Sequence, residues 1–270
     1  MFQINDLVTR YSHNNDTVFK IIDIDGDVAI LKGVNIRLIA DSNISDLKKQ
    51  EDIKIDDKEF LDRFTVNLDR NEYLYLPWKI LHIDGDKDYL ERCMNFYKNV
   101  NVKAIGVRLK EDVIKDKVNT LISEYKPDIV VITGHDAYYE RMGDIQDINN
   151  YKNTNNFIKA VKTIRKQYSH ENLLIIAGAC QSNYEELIKA GANFASSPKR
   201  VNIHALDPAI IASSLALSDK NKPIDLIKIL EKTKYGAKGI GGIITNGTMY
   251  VGYPRWHLKL KKLFKIIKEN

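Results

Sequence analysis

A cysteine and a histidine each follow an apolar run with the composition of a buried β-strand. Residues 173–180 read Leu-Leu-Ile-Ile-Ala-Gly-Ala-Cys, and residues 128–136 read Asp-Ile-Val-Val-Ile-Thr-Gly-His-Asp. A continuous apolar run bounded by glycine is typical of a strand buried on both faces in a parallel sheet. Open α/β folds bind their ligands at the carboxyl ends of such strands. The sequence therefore predicts that Cys180 and His135 lie at the same edge of one sheet.

A thiol and an imidazole brought together in this way can form a nucleophilic pair. The thiolate is the reactive form of cysteine, and a neighbouring histidine can take the thiol proton. Each residue alone also has an ordinary structural interpretation, as a small core residue or a surface histidine. Their placement at one edge favours catalysis by Cys180 and His135. His204, which follows a polar loop, is an alternative base, whereas His82 lies inside a predicted strand and is expected in the core.

The sheet that would position these residues is predicted from an alternation of strand and helix patterns after Trp78. Further strands are predicted at 78–83, 102–109 and 192–196, with helices from Asp86 to Tyr97 and over 113–125, 155–168, 208–217 and 224–232. Such an alternation indicates a parallel sheet with helices on both faces. Asp86 is expected to cap the first helix, and Cys93 lies on its apolar stripe. A β-hairpin is predicted around Asn246-Gly247.

The N-terminal part of the chain has a different pattern. Short β-type runs separated by turn residues predict a small SH3-like β-barrel over residues 1–45. Residues 46–75 are rich in charge and are predicted to be a linker with some helix around 59–64. The α/β domain is then expected to occupy residues 76–270.

Composition narrows the possible functions. The chain has 270 residues, of which 44% are hydrophobic and 29% charged, as in ordinary globular proteins. The net charge is +5, and six basic residues lie among the last sixteen, where we expect a solvated helix face. The rest of the chain is nearly balanced in charge, so no nucleic-acid partner is expected. No run is long enough to span a membrane, and no signal-peptide pattern begins the chain. Its two cysteines supply neither a disulfide framework nor a zinc motif, and no metal or cofactor is expected.

The order and spacing of the two candidate catalytic residues resemble those of caspase-like (clan CD) cysteine peptidases. In that group the histidine precedes the cysteine by about fifty residues, which also argues against a papain-like enzyme. One difference is that this chain has Gly134 before His135 and Asp136 after it, where those peptidases generally have glycine after the histidine. The resemblance implies a caspase-like α/β domain. The backbone N–H groups of Asp136 and Cys180 would then form the oxyanion hole.

At a finer level the whole chain resembles the YabG family of sporulation-specific proteases. The resemblance is carried by long runs of sequence at 36–42, 81–86, 132–138, 177–182 and 191–198. It implies an endopeptidase that processes spore coat and cortex-associated proteins in the mother cell or spore coat of a spore-forming bacterium. It also implies a preference for arginine at the cut site.

An arginine-selective pocket needs a carboxylate to bind the guanidinium. Asp84, at the end of the first sheet strand, is the preferred candidate, and Asp86 is the second. Asp84 could equally serve only as a turn residue before Gly85. Arg63 and Arg70 in the linker are possible self-cleavage sites. The alternative from another class is a non-enzymatic spore coat assembly factor, in which a Rossmann-like domain is a scaffold for docking.

Overall fold

The N-terminal part of the molecule is an antiparallel five-stranded sheet. The computed structural model describes residues 2–51, 57–64, 68, 73–139 and 143–253. The sheet has the strand order β4-β3-β2-β1-β5 and consists of β1 (Leu7–Arg10), β2 (Phe19–Asp25), β3 (Val28–Gly33), β4 (Ile39–Asn43) and β5 (Leu47–Lys49). Alternating apolar residues of these strands form a separate small core. Short strands are therefore present within residues 1–45, as predicted, whereas β5 lies in residues 46–75, which were predicted as a linker.

The larger unit is built on a six-stranded sheet with the order β12-β11-β10-β9-β7-β8. Its strands are β7 (Ile80–Asp84), β8 (Ala104–Arg108), β9 (Ile129–Thr133), β10 (Leu174–Ala177), β11 (Phe194–Ser196) and β12 (Ile240–Gly242). The first five are parallel, and only β12 pairs antiparallel to its neighbour. The strands β7, β9 and β10 are fully buried, as the apolar sequences of β9 and β10 predict, and β7 also buries the polar residues His82 and Asp84.

Helices cover both faces of this sheet. One face packs against α2 (Lys87–Asn99) and α6 (Asp207–Ala216), and the other against α3 (Glu111–Tyr125), α4 (Thr154–Arg165) and α5 (Tyr184–Ala190). The molecule is therefore a mixed α/β protein whose mostly parallel sheet lies between two helical layers. Asp86 caps α2 as predicted, because its side chain accepts the N–H groups of Asp88 and Tyr89.

Shorter elements complete the described chain. The short helix α1 (Lys58–Arg63) places Phe60 in the core, and α7 (Leu226–Leu230) is shorter than the predicted helix at 224–232. A two-stranded sheet joins β6 (Leu74–Leu76) to β13 (Tyr250–Gly252). The helices within the described ranges all fall short of the length and apolarity that crossing a membrane requires. The basic C-terminal segment, 254–270, lies outside the described residues.

The prediction of a β-hairpin around Asn246-Gly247 is wrong. The strands on either side pair with different partners, since β12 pairs with β11 and β13 with β6. Asn246 instead forms an isolated bridge with Pro223. A Cβ atom on Gly247 would lie 2.1 Å from the carbonyl oxygen of Ser218. The glycine is therefore needed for a close approach of two backbones and not for a hairpin turn.

Candidate active site

The two strands that precede the candidate catalytic residues are direct neighbours. In the parallel pairing of β9 and β10, Ile132 lies opposite Ala177. His135 follows the last residue of β9 by two positions, and Cys180 follows the last residue of β10 by three. Both residues therefore emerge at the carboxyl edge of the sheet, which is the arrangement that the apolar runs predict.

Cys180 lies in a tight turn between β10 and α5. The backbone N–H of Ala179 donates to the hydroxyl oxygen of Ser182 at 2.9 Å. Gln181 has a φ of 58°, in the left-handed region that residues with a side chain rarely adopt. Asn183 caps α5 by accepting the N–H of Glu186 at 3.2 Å. The turn therefore has several independent restraints that fix the backbone of Cys180.

The Cys180 side chain is fully buried in this structure. Its thiol donates to the carbonyl oxygen of Ile203 at 3.8 Å. Burial raises the pKa of Cys180 to about 12, although the Ile203 hydrogen bond and the Arg37 charge oppose that rise. At neutral pH the residue is therefore a protonated thiol, and its sulfur has no access to solvent in this structure.

His135 is held at both its backbone and its ring. Its N–H donates to Glu111 Oε1 at 2.8 Å, and its Nε2 lies 2.9 Å from Asp86 Oδ2. The buried Nδ1 has no hydrogen-bond partner among the described residues. Because a carboxylate oxygen only accepts, Nε2 carries the proton in this contact, and a neutral tautomer with a lone pair on Nδ1 is compatible with it. The ring therefore has a fixed orientation and one free basic nitrogen.

Asp86 also binds Lys32, whose Nζ lies 2.7 Å from its Oδ1. Burial alone would raise the pKa of Asp86, but the hydrogen bonds from His135 and Lys32 outweigh burial and lower it. Asp86 is thus an ionised carboxylate whose oxygens are both in use. The sequence predicted its capping role, but its contact with His135 required knowledge of the tertiary structure.

Glu111 packs against the glycine that precedes His135. A Cβ atom on Gly134 would lie 2.2 Å from Glu111 Oε1, and one on Gly85 would lie 2.3 Å from the same oxygen. Both strand ends therefore leave room for this carboxylate, which in turn accepts the His135 N–H. No local sequence pattern pointed to Glu111. The two glycines at adjacent strand ends were the only signal that a side chain from another element lies there.

Asp136 connects the histidine loop to the cysteine turn. Its buried carboxylate accepts hydrogen bonds from Asn153 N–H at 2.7 Å, from the Ser182 hydroxyl at 2.7 Å and from Thr154. Burial raises the pKa of Asp136, and these hydrogen bonds oppose the rise. No hydrogen bond among the described residues uses the backbone N–H of Asp136 or of Cys180. These two N–H groups, predicted as oxyanion donors, therefore have no competing acceptor there.

Asp84 is fully buried and already binds an arginine of this chain. Arg37 Nη1 lies 2.8 Å from Asp84 Oδ2, and neither side chain is exposed. Burial alone would raise the pKa of Asp84, but the Arg37 charge and His82 outweigh burial and hold it below its ordinary value. His82 is fully buried, as predicted, with Nδ1 2.8 Å from the Tyr97 hydroxyl.

The remaining sequence candidates lie in different surroundings. His204 is stacked on Phe60 with ring centroids 4.3 Å apart, and burial lowers its pKa to about 3, so it is a neutral core residue here. Arg63 is exposed on α1 and pairs with Glu59, whereas Arg70 lies outside the described residues. Across the described ranges, no group of three His, Cys, Asp or Glu side chains is arranged to hold a metal ion.

Comparison with known proteins gives two consistent matches. The model of a family described as YabG peptidase U57 matches residues 3–70 and 56–254. A protein of Bacillus subtilis (strain 168), named sporulation-specific protease YabG, is 40% identical over 284 residues. That alignment covers 94% of this chain and 98% of the relative. No solved structure matches the chain significantly.

Proposed function

Because the chain belongs to the YabG peptidase U57 family, we propose that it is a cysteine endopeptidase that acts during sporulation. The observation that supports the cysteine assignment is the pairing of β9 with β10, the two strands that precede His135 and Cys180. A free basic nitrogen on an oriented imidazole supports the same assignment.

In the proposed reaction, His135 Nδ1 accepts the Cys180 proton and the resulting thiolate attacks the peptide carbonyl. The C–N bond then breaks, the leaving amine takes the proton from His135, and a thioester remains on Cys180. Water, deprotonated by His135, hydrolyses this thioester and restores the thiol. The backbone N–H groups of Asp136 and Cys180 stabilise the oxyanion, a contribution that is typically worth ~10²–10³-fold in rate. Asp86 keeps the His135 ring in place through Nε2.

The proposed selectivity for arginine rests on Asp84. Support comes from its present partner, since its ionised carboxylate holds a guanidinium in a dry pocket. A carboxylate has a negative charge and two oxygens that can accept from a guanidinium group, and it therefore favours arginine over other residues. Asp86 is the weaker candidate because its oxygens already bind His135 and Lys32.

We further propose spore coat and cortex-associated proteins as substrates, in the mother cell and the spore coat. Arg63 and Arg70 remain proposed self-cleavage sites, because a cut at either would separate the N-terminal sheet from the α/β unit. The exposure of Arg63 on a short helix is compatible with cleavage there, provided that α1 unfolds locally.

The decisive experiment compares peptide cleavage by the wild-type chain with cleavage by Cys180→Ala and His135→Ala. Both substitutions are expected to reduce the cleavage rate by at least ~10³-fold. His170→Ala, at an exposed histidine, is the matched control and is expected to retain the wild-type rate. Circular dichroism establishes that each variant is folded. Unchanged cleavage by folded Cys180→Ala would contradict the proposal and favour a non-enzymatic assembly factor.

A further inference from the structure

The link between β3 and β4 lies across the candidate active site like an extended peptide. In this link, residues 33–38, the Arg37 N–H donates to the Ile203 carbonyl at 3.1 Å, and the Ala205 N–H donates to the Asn35 carbonyl at 3.0 Å. Ile36 and His204 form an antiparallel bridge between these two bonds. The link is therefore bound through its backbone by one antiparallel bridge, a short version of the pairing by which extended peptides are bound.

The backbone of this link passes next to the candidate nucleophile. The Ile203 carbonyl oxygen accepts both the Arg37 N–H at 3.1 Å and the Cys180 thiol at 3.8 Å. One acceptor atom is thus shared by Arg37 and Cys180. With the link in this position, the Cys180 side chain is fully buried.

The Arg37 side chain occupies a pocket that suits a guanidinium group. It donates to Asp84 Oδ2 through Nη1 at 2.8 Å, and to the Ala205 carbonyl through Nη2 at 3.1 Å and Nε at 3.2 Å. Its Nη2 also lies 3.5 Å from Cys93 Sγ, and its guanidinium carbon lies 4.9 Å from the centre of the Tyr89 ring. A planar, forked cation can make all of these contacts, whereas the ammonium group of lysine cannot.

Further polar contacts hold the link in this position. The Tyr89 hydroxyl lies 2.6 Å from the Gly33 carbonyl oxygen and 2.8 Å from that of Ile36, and shares its proton between them. Arg92 donates to the Val34 carbonyl at 3.0 Å. The same Tyr89 ring lies against His135, with centroids 5.6 Å apart. The contacts that retain the link are therefore continuous with those that surround the catalytic pair.

We propose that residues 33–38 are a built-in pseudosubstrate, in which Arg37 fills the pocket that receives the substrate arginine and keeps the enzyme latent. This inference rests on the proposed peptidase function and on Asp84 as its arginine-binding group. A substrate can enter only after the link has left, and its departure also exposes Cys180. The occupant that replaces Arg37 is an arginine side chain of an extended polypeptide.

The test measures two rates on the full-length chain. One is the hydrolysis of a short fluorogenic peptide with arginine before the scissile bond, and the other is the alkylation of Cys180 by iodoacetamide, identified by peptide mass mapping. Arg37→Ala is expected to increase both rates at least tenfold. Arg165→Ala is the matched control, because Arg165 is a partly buried arginine that binds backbone carbonyls near the opposite ends of the strands. It is expected to leave both rates at the wild-type level.

A second variant covers the case in which Arg37→Ala does not fold. Tyr89→Phe removes only the hydroxyl that binds the link and keeps the ring over the guanidinium. It is expected to increase both rates several-fold. Rates within twofold of wild type in Tyr89→Phe and in any folded Arg37→Ala protein would overturn the pseudosubstrate. Faster alkylation of Cys180 without any peptide cleavage would instead overturn the peptidase assignment and leave the covering role of the link intact.

Discussion

At the scale of single residues, Asp86 makes three contacts, of which the sequence predicted only one. Asp86 caps α2, binds Lys32 and accepts from His135 Nε2. The first role follows from its position before a helix, so it was predictable. The contact with His135 connects residues 49 positions apart, for which no local pattern exists. Asp86 thus caps a helix, forms an ion pair with Lys32 and, in the proposed mechanism, orients His135.

Asp86→Ala is expected to lower kcat about 10²-fold, because the His135 ring loses the partner that fixes its tautomer and orientation. The measurement uses the Arg37→Ala background, so that loss of the Lys32 contact does not itself change access to the site. Asp88→Ala is the matched control, since Asp88 also binds Lys32 but does not touch His135. Equal rates for the two variants would show that Asp86 does not act through His135.

Asp84→Asn is expected to reduce kcat/KM for an arginine peptide by about 10–100-fold, the effect of losing a charged hydrogen bond in a buried site. A peptide with citrulline in place of arginine has the same shape without the charge. Its much lower kcat/KM is expected to change little in the variant. The measurement again uses the Arg37→Ala background. An equal loss for both peptides would mean that Asp84 has only a structural role.

At the scale of elements, the geometry of the candidate site depends on a polar network that joins two loops at the edge of the sheet. The Ser182 hydroxyl accepts the Ala179 N–H within the cysteine turn and donates to Asp136 after β9. Thr154, at the start of α4, donates to the same carboxylate. The relative positions of the two loops therefore depend on buried hydrogen bonds and not only on strand pairing.

Ser182→Ala is expected to destabilise the protein by about 1–3 kcal/mol, because it leaves the Ala179 N–H unpaired and removes a donor to the buried Asp136. The shifted turn is expected to lower kcat about tenfold with little change in KM. Thermal unfolding and steady-state kinetics measure these effects. Ser213→Ala is the control, because the Ser213 hydroxyl is buried and has no hydrogen-bond partner in the described structure. If Ser213→Ala lost as much stability and kcat as Ser182→Ala, the hydrogen-bond network would not be the cause of the effect.

Much of this element arrangement was predictable from local sequence. The apolar runs before His135 and Cys180 indicated buried parallel strands, because they are short, rich in Ile and Val, and followed by glycine. The interpretation of Asn246-Gly247 failed because a turn-forming pair indicates a bend but does not determine which strands pair afterwards. Glu111 and Arg37 were missed for a related reason. Their contacts with Gly134 and Asp84 arise only when distant elements pack together.

At the scale of the whole molecule, the N-terminal sheet is held on the α/β unit by ion pairs that end in the candidate site. Lys32 contacts Asp86, and Arg37 contacts Asp84. While the linker is intact, the covalent connection gives the pseudosubstrate a high effective concentration at its pocket. A cut after Arg63 or Arg70 would remove that advantage and allow the N-terminal sheet to dissociate. The proposed self-cleavage and the proposed latency would thus be two parts of one activation step.

The Arg37–Asp84 pair also predicts how this arrangement responds to acid. The Arg37 charge holds the pKa of Asp84 below its ordinary value of 3.8, so the pair contributes its full stability above that pH. The contribution is lost as the pH falls through the lower pKa of the folded state, where Asp84 takes up a proton. We therefore expect wild type to unfold at a higher temperature than Asp84→Asn near neutral pH, and the difference to shrink as the pH falls below 3.8. Asp88→Asn, at an exposed carboxylate, is expected to show a much smaller difference. A gap between wild type and Asp84→Asn that stays constant with pH would show that the ionised pair does not stabilise the docked N-terminal sheet.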